Sequence, residues 1–224
     1  MTTSPKAWPG SHRSSADLRR RPARPLRPSV SAAGAAQSDT YAEAMDPSEM
    51  HERSQAVFGE VLSAVTESDL GRSTPCADWT VANLIDHVVN GNVSSAEMMG
   101  RAPTELPDGD RDVVHRASAE QANEAFSEPG WHERFVELPF GSVPAPVFAS
   151  IRSGDLYAHA WDLAVAIGAD SDLDRELGEA IFAATAPVLS PSLRGDGRPF
   201  GDEQFCAPDR PVADRLAGFL GRKV

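Results

Sequence analysis

The chain has 224 residues, of which 41% are hydrophobic and 7% aromatic, and its formal net charge is −12 at pH 7. This size suits one domain, or one domain with an appendage. The acidic body argues against binding to a nucleic-acid phosphate backbone, and the sequence holds no apolar run of the roughly 20 residues that span a bilayer. We therefore expect neither nucleic acid nor a membrane as a partner.

Residues 1–44 are predicted to form a disordered basic extension, because they are rich in Pro, Ser, Ala and Arg and show no apolar periodicity. They lack the apolar core of a signal peptide. An organelle transit peptide and a tail that contacts an acidic partner are alternatives. We favour a mispredicted start codon, since Met45 or Met50 would begin the protein at its first folded residue. The folded domain is expected over residues 45–224.

Three amphipathic helices are predicted in the first half of the folded region, from apolar residues at helical spacing. Asp46 precedes a proline and is a typical N-cap of the first helix, and Asp78 or Thr80 can cap the second. A loop rich in Pro, Gly and Asp at 101–110 separates the second helix from the third. The predicted spans are 47–66, 81–99 and 113–126.

The second half is predicted to begin with a short extended segment or small hairpin at 135–141, where apolar residues alternate before Pro and Gly. A long helix follows at 145–167 and ends at Gly168, a typical C-cap. Further helices are predicted at about 173–189, including Val188, and at 212–220. The predicted fold class is all-α, most simply an up-and-down four-helix bundle with a short extended segment and a small C-terminal helix.

The long helix carries the candidate functional site. Six of its residues fall within about 40° of one line along the helix: Phe148, Ile151, Asp155, His159, Asp162 and Ala166. Asp155 and His159 are one turn apart, so their side chains can converge in front of the helix. Burying them is costly unless they are paired. A divalent metal is an economical partner, provided that a third ligand comes from elsewhere.

His87 is the best candidate for that third ligand, because it lies on the flank of the apolar face of the second helix. Two nitrogen ligands and one oxygen ligand suit Zn²⁺ most readily, and Ni²⁺, Fe²⁺ or Mn²⁺ also. The same residues fit simpler interpretations. Asp155 and His159 can form a partly exposed pair, and His87 can be an ordinary buried or surface histidine. Asp162 can orient His159 or pair with an arginine.

The remaining histidines and the cysteines give weaker signals. No role is assigned to the histidines in polar surroundings, which are His12, His51, His115 and His132. Cys76 can be a buried structural cysteine or a reactive thiol. Because Cys76 and Cys206 are far apart and form no ligand motif, they suit a reducing cytoplasm, where we expect the protein.

Four sequence runs resemble a known family: Thr74–Trp79, Leu84–Val88, Phe140–Pro144 and Asp155–Leu163. They are similar to the metal-binding domain of the mycothiol-dependent maleylpyruvate isomerase family, which belongs to the DinB-like superfamily of four-helix bundles. The closing run Arg215–Arg222 further resembles an actinobacterial branch of metal-binding proteins. The resemblance covers about residues 46–222.

The resemblance implies that His87, Asp155 and His159 hold a divalent metal. The isomerase has Glu where this chain has Asp155, and it has a separate C-terminal domain where this chain has a short tail. The resemblance itself implies a metal-dependent S-transferase or isomerase in which a low-molecular-weight thiol such as mycothiol attacks a small electrophile. The alternative is a non-catalytic metal-binding or regulatory module. Either one is expected as a monomer or a homodimer.

Overall fold

Six helices and one hairpin make up the part of the chain that the computed structural model describes, which is residues 45–224 without 77, 103, 140, 188, 190 and 196–199. In chain order they are α1 (Pro47–Leu62), α2 (Val81–Met98), α3 (Arg111–Ala125), β1 (Phe135–Leu138), β2 (Gly141–Pro144), α4 (Ala145–Ile167), α5 (Arg175–Thr185) and α6 (Val212–Phe219). The predicted all-α class is confirmed. The predictions for residues 1–44, Phe140 and Val188 concern positions outside the described residues.

The helix ends follow from local chemistry. Asp46 caps α1 as predicted, since its Oδ1 accepts from the backbone N–H of Ser48 at 2.8 Å. Of the two candidate caps for α2, Thr80 is the one used, and its Oγ1 accepts from the backbone N–H of Asn83 at 3.3 Å. Gly168 ends α4 with a φ of 75°, a conformation that favours glycine.

Of the two alternatives for 135–141, the hairpin is the one found, and its second strand continues to Pro144. β1 and β2 pair antiparallel, with Val136 opposite Val143. Two helices are shorter than their periodicity predicted. α1 ends at Leu62 because the chain then enters a separate 3-10 turn, Glu67–Asp69. α5 ends at Thr185.

Contacts between facing residues give the helix directions. His51 contacts Asn123 and Phe58 contacts His115, so α1 and α3 are antiparallel. The first turns of α2 and α3 line one surface groove and their last residues share one apolar cluster, so these two helices are parallel. α2 and α4 are antiparallel, as the site contacts below require.

The resulting order is up-down-down-up, which differs from the strict alternation of a simple up-and-down bundle. The connection at 99–110 permits this order. Extended, a segment of that length can span about 40 Å, whereas the 18 residues of α2 measure only about 27 Å. The chain can therefore return to the end at which α2 began before α3 starts.

α4 is central to the packing, because its side chains enter all three apolar clusters of the described residues. One cluster joins it to α1 and α2, the second to α5 and α6, and the third to the hairpin and the end of α3. Trp161 packs in the second cluster and donates from Nε1 to Asp214 at 2.8 Å. Within the described residues, no helix combines the length and the apolarity needed to cross a membrane.

A buried polar network joins α1, α2 and α3. Its members are His51, Gln55, Asn92, His115, Ser118 and Asn123. The sequence pattern placed His51 and His115 in polar surroundings and assigned them no role. Both are in fact buried, at 0% and 5% exposed. Gln55 connects them, because its Nε2 lies 3.5 Å from His51 Nε2 and its Oε1 lies 3.2 Å from His115 Nε2. Gln55 Nε2 also donates to Asn92 at 2.7 Å. Interior polar groups of this kind are tolerated because they are hydrogen-bonded to one another.

The two network histidines should make stability depend on pH. Burial lowers the pKa of His51 to about 3 and that of His115 to about 4, compared with 6.5 when exposed. Both are therefore neutral in the folded state, and below pH 6.5 the unfolded chain binds more protons than the folded chain. The free energy of unfolding should fall as the pH is lowered towards 4, by about 1.4 kcal/mol per pH unit for each histidine.

Urea denaturation between neutral pH and the lower end of this range measures the slope. Replacing His115 by Gln, which keeps a donor for Gln55, should reduce it by nearly half. His132→Gln, at an exposed position, should leave it unchanged. An equal slope in wild type and His115→Gln would contradict the interpretation.

Candidate metal centre

Two antiparallel helices bring the three predicted ligands together. α4 presents Asp155 and His159 one turn apart, and α2 presents His87 opposite them. His87 Nε2 lies 3.4 Å from Asp155 Oδ2, and His159 Nε2 lies 3.4 Å from Asp155 Oδ1. One ligand atom from each residue lies within 4.8 Å of the others. For comparison, neighbouring ligand atoms in a tetrahedral zinc site with bonds of about 2.1 Å are roughly 3.4 Å apart.

The group is closed on one side and open on the other. The His159 side chain is only 5% exposed, whereas those of His87 and Asp155 are 28% and 31% exposed. A cation held between the three would therefore have protein behind it and solvent in front. This arrangement matches the need of a catalytic metal for one coordination position that is free for water or substrate.

Ionised carboxylates give the site a preference for positive charge. Burial disfavours ionisation of Asp155, but the charges of His159 and Arg152 outweigh it and hold the pKa of Asp155 well below its usual range. Burial also disfavours the charged form of His159, but Asp155 and Asp162 outweigh it and raise the pKa of His159 to about 9. Without a metal, His159 is therefore protonated at neutral pH. A metal ion that binds here must displace that proton.

Asp162 lies directly behind His159 and is fully buried. Its Oδ2 is 3.1 Å from His159 Nδ1 and accepts from Arg222 Nη2 at 3.0 Å. Asp162 therefore contacts both of the partners named in its two alternatives, His159 and an arginine. Burial opposes ionisation of Asp162, but His159 and Arg222 outweigh it and lower its pKa. With the Nδ1 proton directed at Asp162, the Nε2 atom of His159 is directed towards the group.

The loop before α2 covers one side of the group. The ring of Trp79 lies 4.6 Å from that of His87 and 5.6 Å from that of His159. The loop folds around Thr74, whose Oγ1 donates to the carbonyl of Trp79 at 3.1 Å. Asp78, in the same loop, adopts a φ of 65° and is the one non-glycine residue with positive φ among those described.

Cys76 is half-buried in this loop and is close to the site. Its Sγ and one ligand atom each of His159 and Asp162 lie within 4.8 Å of one another. Burial raises the pKa of Cys76 to about 11, and the charge of Asp162 adds to the rise. Without a metal its thiol is therefore protonated at neutral pH, which argues against a reactive thiolate.

Sequence reasoning missed three residues of the site. Arg152 Nη1 donates to Asp155 Oδ2 at 2.8 Å, a contact that the i,i+3 spacing could have indicated. Trp79 and Arg222 reach the site only through folding, and their spacing in the sequence carries no signal. The predicted polar line along α4 is also less regular than expected. Ile151 is 38% exposed, and Phe148 packs in the separate cluster beside the hairpin.

Comparison with known families gives a match to the mycothiol maleylpyruvate isomerase N-terminal domain over residues 51–130. The match contains α1 from its second turn onwards, all of α2 and α3, and His87, whereas Asp155 and His159 follow it in the chain. Among solved structures, crystal structures of the mycothiol-dependent maleylpyruvate isomerase and of a histidine-to-alanine mutant of it are similar, at 21% and 20% identity and a TM-score of 0.48. Each match covers 62% of this chain and 65% of the isomerase chain.

Two proteins of Mycobacterium tuberculosis are more similar in sequence. The uncharacterized proteins MT0763, from strain CDC 1551 / Oshkosh, and Rv0738, from strain ATCC 25618 / H37Rv, are each 44% identical over 186 residues. These matches cover 80% of this chain and 100% of each relative. The chain belongs to the same family as these two proteins, and its residues 51–130 form a mycothiol maleylpyruvate isomerase N-terminal domain.

Proposed function

We propose that the protein binds a divalent metal ion through His87, Asp155 and His159. The observation that carries this proposal is the convergence of three side chains from two helices: one ligand atom of each lies within 4.8 Å of the others, and one side of the group is open to solvent. Two imidazoles and one carboxylate are a donor set that zinc uses in catalytic sites. Zn²⁺ is therefore the ion that we propose, with Ni²⁺, Fe²⁺ and Mn²⁺ as the alternatives that fit the same donors.

The surroundings of the three ligands fit a cation. The carboxylates that raise the pKa of His159 to about 9 would stabilise a metal in place of the proton. Asp162 would keep His159 in one orientation, as carboxylates behind metal-bound histidines commonly do. Trp79 would exclude water from the side that it covers. A small molecule from solution would then reach the metal only from the exposed side, where His87 and Asp155 lie.

We further propose that a low-molecular-weight thiol such as mycothiol is the cosubstrate, because the family is named for a mycothiol-dependent isomerase. When bound, a divalent cation would supply positive charge that favours the thiolate form of a thiol at its open position. The reaction class is then attack of the thiolate on a small electrophile, with transfer of the thiol or isomerisation of the electrophile as the result.

The cytoplasmic location stays a prediction.

Metal content tests the ligand set. His87→Ala and His159→Ala should each lower the metal bound per purified chain at least tenfold, since two remaining ligands hold a divalent ion weakly. The measurement is elemental analysis by plasma mass spectrometry after zinc loading and desalting. His132→Ala, which removes an exposed histidine that is not part of the group, is the matched control and should retain wild-type content. Equal metal content in wild type and His159→Ala would refute the proposed centre.

Turnover with mycothiol tests the proposed reaction. Metal-loaded wild-type protein should consume mycothiol with an epoxide or a haloalkane if it transfers the thiol. It should convert an unsaturated diacid to its isomer, with the thiol regenerated, if it is an isomerase. Asp155→Asn should lower the rate by about 10- to 100-fold, because a neutral amide is a poor ligand. Asp86→Asn removes an exposed carboxylate next to His87 on α2 and should have no effect. Metal binding without turnover on any electrophile would favour the non-catalytic metal-binding module.

A further inference from the structure

We infer that Arg152 is a positioning residue for Asp155. We also infer that position 91 is a glycine because the guanidinium of Arg152 fills the space that any side chain at this position would occupy. This inference rests on the proposed metal centre. The Arg152 side chain is 12% exposed, and its Nη1 donates to Asp155 Oδ2 at 2.8 Å. Its Nε and Nη2 atoms are buried and have no hydrogen-bond partner among the described residues.

The ion pair with Asp155 is thus the polar contact that holds the guanidinium among the described residues. Two unpaired donors in the interior are unfavourable, so close packing must also keep the guanidinium in place. The surface of α2 at Gly91 supplies that packing. A Cβ atom built at Gly91 would overlap with Arg152 Nη2 and lie 3.0 Å from its Cζ. Any side chain at position 91 would therefore displace the guanidinium.

Gly91 and Arg152 lie on the helix turns next to those of the ligands. Gly91 follows His87 by one turn of α2, and Arg152 precedes Asp155 by nearly one turn of α4. The bond from Arg152 restrains rotation of the carboxylate that lies between the two imidazoles. Fixing a ligand in this way is the usual role of a group that hydrogen-bonds a metal-binding carboxylate.

A second effect of Arg152 has the opposite sign, because its positive charge repels a nearby cation. Two substitutions separate the effects. Gly91→Ala displaces the guanidinium but keeps its charge, whereas Arg152→Met removes the charge. If positioning dominates, both variants bind zinc more weakly. If repulsion dominates, Arg152→Met binds zinc more tightly, and the inference is wrong.

The zinc dissociation constant, measured by competition with a chromophoric chelator, is the test. Gly91→Ala and Arg152→Met should each raise it about 10- to 100-fold. Gly154→Ala on α4 is the matched control, because its Cβ would make ordinary contacts at 3.6 Å with Ile181 and Thr185. The control should bind zinc as wild type does. Circular dichroism establishes that each variant is folded, and if Gly91→Ala does not fold, Arg152→Met decides.

A double-mutant cycle distinguishes positioning from a general loss of packing. Arg152→Lys keeps a charged donor for Asp155 but lacks the branched end that conflicts with a side chain at position 91. Gly91→Ala should therefore weaken zinc binding far less in the Arg152→Lys background than in wild type. Equal losses in both backgrounds would refute the coupling. Wild-type protein that binds no zinc would refute the proposed centre itself, whereas tight binding by both wild type and Gly91→Ala would refute only the role of Arg152.

Discussion

The placement of an ionised carboxylate between two histidines and an arginine is the constraint on which the rest of the site depends. Asp155 faces His87 and His159 at 3.4 Å and accepts from Arg152 at 2.8 Å. Even a partly buried carboxylate is costly unless positive charge or donors surround it. The helices of the bundle have to supply these partners. α2 supplies the imidazole of His87, and at Gly91 it leaves room for the guanidinium of Arg152.

The charges around His159 connect the centre to the end of the chain. Asp162, buried behind His159, is neutralised in part by Arg222, which follows α6. The loop before α2 adds Trp79 against both imidazoles. Segments from three separate parts of the sequence thus restrain one histidine. This convergence, with the open side at His87 and Asp155, is what distinguishes the arrangement from an ordinary partly exposed pair of side chains.

The bundle contains a second polar region of a different kind. The network of His51, Gln55, Asn92 and His115 with its two further members is closed by its own hydrogen bonds, and its histidines are held neutral by burial. The candidate centre has two carboxylates and a histidine held in the charged form. Burial keeps the network histidines neutral, whereas the carboxylates of the centre outweigh burial and keep His159 charged.

The sequence by itself determined the helices, the caps at Asp46 and Gly168, the family, and the pairing of Asp155 with His159, because all of these depend on local spacing or on short motifs. It also nominated His87, from the flank of an apolar face. Only the tertiary structure decided the up-down-down-up order, the burial of the network histidines, and the places of Trp79 and Arg222. Those features depend on which helices become neighbours, and a periodicity shows that a face is buried without showing what covers it.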